Sequence, residues 1–390
     1  MRIKTVIERT VKVDSKVRNA RVDLGQMTVS AVAVVTDVHG DGGSITGFAF
    51  NSFGRYGCGG PLRDRFIPRL LALEPADLLD PAGTNVDPGR ILAALLTREK
   101  AAGHAERSMA LGTLELALWD VVAKVERRPL YQVLADRFGG GAATLPGDIP
   151  TYAAGGFYGN ADEVPAVGAT VAGWRDAGFV DAKIKAGGGD LGLDCRRIEA
   201  ARAAQPPGGR LALDLSCAFD AASGVQFAQA VKPYDPWFLE EPCDPLDFEG
   251  YHAVAQTGCR IAGGENLFAA REFDNFLRYG RLGPGVVLEP DPALAYGVTG
   301  LREIVAVAQA HGLSKAAIYP HGGNMMSLHI VAGLGLAGLE AYPGQFGIFG
   351  GFSREIDIRD GRASLPSAPG IGFEEQPALF ALFDEMARSA

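Results

Sequence analysis

Six polar side chains recur through the second half of the chain, each at the end of a short apolar run. The steps between them are about 25 to 30 residues, the length of one β-strand with one α-helix, and the six are Lys185, Asp214, Glu240, Glu265, Asp291 and His321. Parallel strands of a barrel end at one mouth, where barrel enzymes build their active sites. The spacing therefore predicts that these side chains face one centre.

Three of the six are consecutive carboxylates, and they indicate a metal ion. Asp214, Glu240 and Glu265 would repel one another on one ring unless a cation lay among them. Oxygen ligands with no cysteine and no nearby histidine favour Mg²⁺ over Zn²⁺, although such a set does not distinguish Mg²⁺ from Mn²⁺. We therefore predict Mg²⁺ as the cofactor.

Candidate bases stand on both sides of this predicted ring. Lys183 and Lys185 alternate on one strand, so they project from the same face. Two like charges this close should lower each other's pKa, which would prepare a lysine to remove a proton from carbon. Across the ring, Asp291 precedes His321 by one strand, and a carboxylate that holds an imidazole raises its basicity. The arrangement suits abstraction of a proton α to a metal-bound carboxylate.

These residues need a scaffold that brings many strand ends together. From about residue 149, short apolar runs alternate with helical stretches such as 193–204 and 299–311; the predicted strands are 152–154, 180–185, 211–215, 237–240, 260–264, 286–289, 316–319 and 338–342. Eight βα units predict an α/β protein with a (β/α)₈-type barrel. An open doubly wound sheet is the alternative, and it is weaker because no G-x-G-x-x-G follows the first strand.

The N-terminal third has a different sequence pattern. Residues 3–11 and 27–37 are β-rich, and 108–127 carries apolar residues at helical spacing. Strands followed by helices predict an α+β domain. A composition shift at residues 139–141 marks its end.

The composition excludes several classes of protein. The chain has 390 residues, 37 basic and 46 acidic, and no basic run, so we expect no nucleic-acid partner. Five scattered cysteines without C-x-x-C indicate reduced thiols in a cytoplasmic protein. There is no signal-like N-terminus, and the longest apolar run is broken by glycines, so we expect no membrane partner.

The motifs at the strand ends resemble those of the enolase superfamily, in its mandelate racemase/muconate lactonizing enzyme branch. They are K-I-K at 183–185, L-D at 213–214, L-E-E-P at 239–242, G-G-E-N at 263–266, P-D-P at 290–292 and P-H-G-G at 320–323. The resemblance implies a (β/α)₇β barrel with an α+β capping domain that the C-terminal tail completes. It divides the chain into 1–147, 148–365 and 366–390, and homo-oligomers are frequent in such families.

The same resemblance implies roles for the site residues. Mg²⁺ would be bound by Asp214, Glu240 and Glu265; the base on one face would be Lys185, assisted by Lys183, and the other face would be served by the Asp291–His321 pair.

Within the branch, the sequence is most similar to the D-tartrate dehydratase subgroup, through residues 17–20, 51–57, 99–108, 152–156, 264–268 and 369–373. This similarity implies that Asn19 and Lys100 approach the substrate from the capping domain. Two positions depart from it, because Phe53 and Phe157 stand where the subgroup has Asn and Tyr. The set of candidate substrate-binding residues is Asn19, Arg55, Lys100, Phe157 and Glu340.

We therefore expect a Mg²⁺-dependent dehydratase that converts a 2,3-dihydroxy acid, D-tartrate or a related sugar acid, into a 2-keto acid. A pocket that has lost polar partners should discriminate against a very polar diacid. A racemase or epimerase of an α-hydroxy acid would use the same lysine and histidine. A metal-binding homologue without catalysis ranks lower, since no acid or base is missing from the ring.

Overall fold

The computed structural model describes residues 1–15, 17–40, 43–159 and 162–389. Its N-terminal part is an antiparallel sheet of three strands in chain order, β1 (Ile3–Lys12), β2 (Thr28–Gly40) and β3 (Gly43–Phe50). The valine- and alanine-rich middle of β2 is buried, which suits β-branched side chains in a covered sheet. The β-rich start that the sequence predicts is confirmed.

Helices cover this sheet. The helix Glu106–Val125 packs so closely on β3 that a side chain at Gly47 would collide with the carbonyl oxygen of Ala117. The helix predicted at 108–127 is therefore confirmed within two residues. The other helical segments before the barrel are Leu24–Gln26, Gly59–Pro61, Leu62–Phe66, Ile67–Leu71, Pro75–Leu78, Pro88–Leu96, Leu130–Leu134, Ala135–Gly139 and Ala142–Thr144.

A closed ring of parallel strands follows. Its members are β4 (Asp148–Gly155), β5 (Ala182–Lys185), β6 (Leu211–Asp214), β7 (Leu239–Glu240), β8 (Ile261–Gly263), β9 (Val287–Leu288) and β10 (Leu339–Ala341). Strands β4 to β9 pair in chain order, and β10 pairs with β4. The predicted (β/α)₇β barrel is confirmed.

The seventh position of the ring is a single residue. The Tyr319 N–H donates to the Leu288 carbonyl at 2.9 Å, and the Ala337 N–H donates to the Ile318 carbonyl at 3.1 Å. The strand predicted at 316–319 is therefore wrong in extent, because Lys315–Ala317 form a 3₁₀ turn. The bridge through Ile318 still joins β9 to the start of β10.

Helices alternate with the strands as the periodicity predicts. The barrel helices are Glu163–Asp176, Leu191–Ala204, Ala221–Val231, Phe248–Ala255, Ala270–Tyr279, Gly297–Ala310 and Met325–Leu334. Short polar side chains start several of them: Asp190 accepts from the Leu193 N–H at 2.9 Å, and Asp220 from the Ser223 N–H at 2.8 Å. Such caps satisfy N–H groups that have no partner within the helix. Short 3₁₀ turns lie at Lys232–Tyr234, Gly347–Phe349 and Phe373–Glu375.

The C-terminal stretch returns to the N-terminal sheet. A hairpin of β11 (Ile358–Arg359) and β12 (Arg362–Ser364) pairs antiparallel with the start of β4. The Asp120 carboxylate then accepts from the N–H groups of Phe48 at 2.8 Å and Ile371 at 2.7 Å. The final helix, Pro377–Arg388, stacks Phe383 on Phe48 at 4.8 Å.

The capping domain is thus completed by the tail, while the limits at residues 147 and 365 stay predictions. None of the helices in the described ranges is both long and apolar enough to cross a membrane.

Candidate active site

The strand register sets three candidate side chains side by side. Lys185 pairs with Asp214 between β5 and β6, and Asp214 pairs with Glu240 between β6 and β7. Glu265 follows the end of β8 by two residues. Because these strands are parallel, their carboxyl ends open at one mouth.

Lys185 stands between an acidic cluster and an aromatic ring. Its amine is ion-paired with Asp214 and lies 5.6 Å from the centre of the Phe157 ring. Burial alone would lower the pKa of Lys185, but the carboxylates of Asp214, Glu265 and Glu240 outweigh burial and raise it.

Lys183 is enclosed by carboxylates at the centre of the barrel. Its amine lies 2.5 Å from Glu240 Oε2, 2.8 Å from Glu340 Oε2 and 3.5 Å from Glu289 Oε1. Burial opposes the charged form, yet these three carboxylates raise the pKa of Lys183 well above its ordinary value. The expected mutual lowering of the two lysine pKa values is therefore wrong here, because attraction to carboxylates in contact outweighs repulsion between the lysines.

Glu240 is a buried carboxylate with few hydrogen-bond partners. Both of its oxygens are buried; Oε2 is ion-paired with Lys183, and Oε1 accepts no hydrogen bond from the residues that the structure describes. Burial, with Asp214 and Glu289 adding to it, raises the pKa of Glu240 well above its ordinary value. A cation at this position would remove that penalty.

The carboxylates are not arranged as a finished metal site. Within the described ranges, no three His, Cys, Asp or Glu side chains stand in a ligand-like cluster. The reason is local, since Asp214 is paired with Lys185 and Glu240 with Lys183.

His321 is held from both ring nitrogens. Its Nδ1 lies 2.8 Å from Asp291 Oδ2, and its Nε2 lies 3.0 Å from the Tyr342 hydroxyl and 3.1 Å from Glu265 Oε2. Burial would lower the pKa of His321, but Glu265, Glu340 and Asp291 outweigh it and raise the pKa to about 10. The imidazolium form, which can donate a proton, is thereby favoured.

Aromatic rings line the side of the mouth next to Lys185. Phe53 stacks on Phe346 at 4.4 Å, and Phe157 meets Phe346 edge to face at 6.2 Å. Tyr342 packs against Phe346 at 5.0 Å. The sequence departure at Phe53 and Phe157 thus creates a continuous apolar wall.

Two residues of the site were not predicted. Glu289 lies at the end of β9 and contacts Lys183, and Tyr342 lies beyond β10 and contacts His321. The signal for both was spacing: Glu289 and Asp291 are two residues apart, as are Glu340 and Tyr342, and in extended chain side chains two residues apart point the same way.

Asn19 and Lys100 are the two predicted substrate contacts from the capping domain. The Asn19 carboxamide accepts from the N–H groups of Arg21 at 2.9 Å and Val22 at 2.7 Å, so it shapes its own turn. That turn lies against the loop after β4. Lys100 is exposed and lines a surface cavity of about 410 Å³ among arginines. In the described part of the chain it forms no ion pair or hydrogen bond with a ring residue, and its role as a substrate contact stays a prediction.

Arg55 lies closer to the carboxylates at the strand ends. Its guanidinium stands 5.6 Å above the Phe268 ring. Burial, with Glu265 and Asp214 adding to it, raises the pKa of Glu241 to about 8, and Arg55 opposes that rise. The Arg55 guanidinium also donates to the Gly54 carbonyl at 2.8 Å, and its role as a substrate contact stays a prediction.

The family assignment agrees with this geometry. Residues 166–378 match the family model described as enolase C-terminal domain-like. The chain is 30% identical over 274 residues to a 3,6-anhydro-alpha-L-galactonate cycloisomerase of Streptomyces coelicolor, covering 69% of this chain and 70% of that protein. The chain belongs to the enolase superfamily.

Further relatives and solved structures extend the comparison. An arabinonate dehydratase of Saccharolobus solfataricus is 24% identical over 272 residues, 68% of this chain and 70% of that protein. The structure of a racemase from Streptomyces coelicolor with bound magnesium superposes with a TM-score of 0.76 at 22% identity, covering 97% and 99% of the two chains. An L-talarate dehydratase from Polaromonas, complexed with Mg and L-glucarate, gives 0.74 at 22% identity over 94% and 92%. These structures share the fold.

Proposed function

We propose that the protein is a Mg²⁺-dependent dehydratase of a sugar acid. The observation that carries the proposal is the placement of Lys185 and the Asp291–His321 pair on different sides of the carboxylates at the strand ends. An amine base and an imidazole acid around one centre suit removal of an α-proton followed by loss of a β-hydroxyl. The dehydratases and the cycloisomerase among the relatives support the same chemistry.

The donor chemistry of Asp214, Glu240 and Glu265 fits Mg²⁺, although within the described residues they do not form a ligand cluster. They offer oxygen ligands only, and Oε1 of Glu240 accepts no hydrogen bond from the described residues. When bound, Mg²⁺ would supply positive charge next to the substrate carboxylate and make its α-proton more acidic. The pairing of Asp214 with Lys185 would have to open for this. With their charge balanced, the carboxylates would no longer hold the pKa of Lys185 high.

The protein side chains then divide the reaction between them. Lys185 takes the α-proton, and the cation of Lys183 next to it favours the neutral form of that base. His321, fixed at Nδ1 by Asp291 at 2.8 Å, donates the Nε2 proton to the departing β-hydroxyl, which leaves as water. The resulting enol ketonises to a 2-keto acid.

The aromatic wall bears on the substrate. Phe53, Phe157 and Phe346 offer no hydrogen bond to a second carboxylate, and an unmatched polar group costs about 1–3 kcal/mol. An aldonic acid with one carboxylate therefore suits this wall better than D-tartrate, which the sequence resemblance favours. The named relatives include dehydratases of arabinonate, D-gluconate and D-galactonate.

A racemase or epimerase is the second candidate. Acid–base groups on different sides of the carboxylates would also serve removal and return of a proton, and a racemase is among the structures that share the fold. In that case His321 would return a proton to carbon and no hydroxyl would leave.

The decisive test is a screen of the purified protein with Mg²⁺ against aldonic and aldaric acids, including the tartrate isomers, with detection of 2-keto acid. Formation of a 2-keto acid supports the dehydratase. Exchange of the α-proton into D₂O with inversion and no 2-keto acid supports the racemase, and absence of both for every acid would contradict the proposal.

A further inference from the structure

The hydroxyl of Tyr342 joins the two sides of the candidate site. It donates to Glu340 Oε1 at 2.5 Å and lies 3.0 Å from His321 Nε2. Glu340 Oε2 in turn lies 2.8 Å from the amine of Lys183. One continuous set of contacts therefore runs from Lys183 on β5 to His321.

The hydrogen count fixes the direction of the Tyr342–His321 contact. A phenol has one hydrogen, and Glu340, which is ion-paired with Lys183, can only accept. The Tyr342 hydrogen therefore points to Glu340, which leaves the Tyr342 oxygen as an acceptor for the N–H at Nε2 of His321, a group that also lies 3.1 Å from Glu265 Oε2. With Nδ1 bonded to Asp291, both nitrogens of the imidazole have hydrogen-bond partners.

Packing leaves the Tyr342 ring little freedom. Its ring meets Phe53 edge to face at 5.9 Å and Phe346 at 5.0 Å. Gly323 has a positive φ of 48°, and a side chain there would come within 2.6 Å of Tyr342 Cδ2. The glycine of the P-H-G-G motif thus makes room for the tyrosine that contacts the histidine of the same motif.

We propose that Tyr342 is a positioning residue for His321, and that its hydroxyl holds the imidazole in the orientation from which Nε2 reaches the leaving hydroxyl. This inference rests on the proposed dehydratase function, and it assigns a role to a residue outside the six strand-end groups. Without the hydroxyl, the imidazole keeps Asp291 at Nδ1 and Glu265 near Nε2 but loses one of its contacts at Nε2, so its orientation is less restricted. The step that His321 performs should suffer, whereas α-proton removal by Lys185 should not.

The test is the variant Tyr342→Phe, which keeps the ring and its packing and removes only the oxygen. Tyr131→Phe is the matched control, because Tyr131 is also buried and its hydroxyl accepts a hydrogen bond from Gln132 at 3.3 Å, in the capping domain. With the best acid from the screen, 2-keto acid formation and α-proton exchange into D₂O are measured side by side. Thermal unfolding of both variants reports whether the fold is kept.

We expect 2-keto acid formation to fall about 10- to 100-fold in Tyr342→Phe, the scale of a misplaced catalytic group, with exchange and KM nearly unchanged. Tyr131→Phe should leave both rates at the wild-type value. An equal fall in elimination and exchange, or no fall, would overturn the proposal. In the His321→Asn background the Tyr342→Phe change should have no further effect, and an additive effect also contradicts it.

A crystal structure of Tyr342→Phe gives a readout that does not depend on turnover. The imidazole of His321 should leave its place 3.1 Å from Glu265 Oε2. An unmoved imidazole would overturn the positioning role. If no acid is turned over by the wild type, the proposed function fails, and this structure alone decides whether Tyr342 positions His321.

Discussion

The ring of Phe157 lies with its centre 5.6 Å from the side-chain amine of Lys185. An apolar face thus lies next to the candidate base, and in the proposed function it would line the substrate space. A hydroxyl or carboxylate of the substrate that reaches this face finds no hydrogen-bond partner in Phe157. A side chain proposed to influence substrate choice, Phe157, therefore contacts the candidate base, Lys185.

Replacing Phe157 with Tyr should shift the preference toward polar diacids. A new hydroxyl that meets a substrate oxygen is worth about 1–3 kcal/mol, so kcat/KM for tartrate relative to an aldonic acid should rise about 5- to 100-fold. Phe380→Tyr, on the final helix, is the control and should leave the ratio unchanged. A fall in the ratio in Phe157→Tyr would show that this ring does not face the distal end of the substrate.

Removing the base and removing the acid should give different kinetic outcomes. Lys185→Ala should lose both α-proton exchange and 2-keto acid formation, by at least about 100-fold each, the usual contribution of acid–base catalysis. His321→Asn should lose 2-keto acid formation and keep exchange. Exchange that persists in Lys185→Ala would mean that another group removes the proton.

Mg²⁺ should stabilise the protein through Glu240. A ligand at 100 times its Kd raises the free energy of unfolding by about 2.7 kcal/mol, so Mg²⁺ should raise the Tm of the wild type, and chelation should remove both the shift and the activity. Glu240→Gln should abolish the shift.

Glu289→Gln is the matched control for this metal prediction. Glu289 is a buried carboxylate that also contacts Lys183, but it is not among the proposed ligands. Its variant should keep the Mg²⁺-dependent rise in Tm. If the Mg²⁺-dependent rise in Tm survives in Glu240→Gln and disappears in Glu289→Gln, Glu289 and not Glu240 binds the metal.

The sequence predicted the ring of strand ends because one polar residue closes each apolar run, and that pattern is local. It did not predict the pKa of Lys183, because the carboxylates of Glu240, Glu289 and Glu340 reach it from three other strand ends. Within its own strand, the sequence shows only one other charge near Lys183, that of Lys185. Tyr342 was not predicted for the same reason, because its partner His321 is 21 residues away in the sequence.

The strand at 316–319 shows a further limit of the sequence. Its apolar residues fit a strand, but only Ile318 forms a bridge. One residue at this position is enough to close the barrel, and Lys315–Ala317, which precede it, form a 3₁₀ turn. Backbone pairing across the barrel, which no local pattern specifies, decides the extent.

His329 should make the stability of the protein depend on pH. This fully buried imidazole accepts from the Tyr131 N–H at Nδ1 and contacts the Ile371 carbonyl through Nε2, each at 3.0 Å. It thereby joins a barrel helix to the capping domain and to the C-terminal tail. Protonation would place a hydrogen on Nδ1, where the Tyr131 N–H already points, so the neutral form is required.

The sign of the effect follows from the direction of the shift. Burial lowers the pKa of His329 from 6.5 to about 4, against the opposing contact with Ile371. The unfolded chain therefore binds a proton first as pH falls, and the contribution is complete above pH 6.5 and lost as pH falls toward 4. The loss is on the order of 3 kcal/mol, since one pKa unit corresponds to about 1.4 kcal/mol.

The measurement is the denaturant midpoint between pH 4 and 7 for the wild type and for His329→Gln. Other buried groups titrate in the same range, and burial raises the pKa of Glu115 to about 7, so the quantity of interest is the difference between the two proteins. That difference should shrink as pH falls, because the wild type loses the His329 contribution and the variant has none to lose. His39→Gln, which changes an exposed histidine of β2, should run parallel to the wild type. A constant difference between wild type and His329→Gln across the range would mean that the imidazole does not stay neutral in the folded protein.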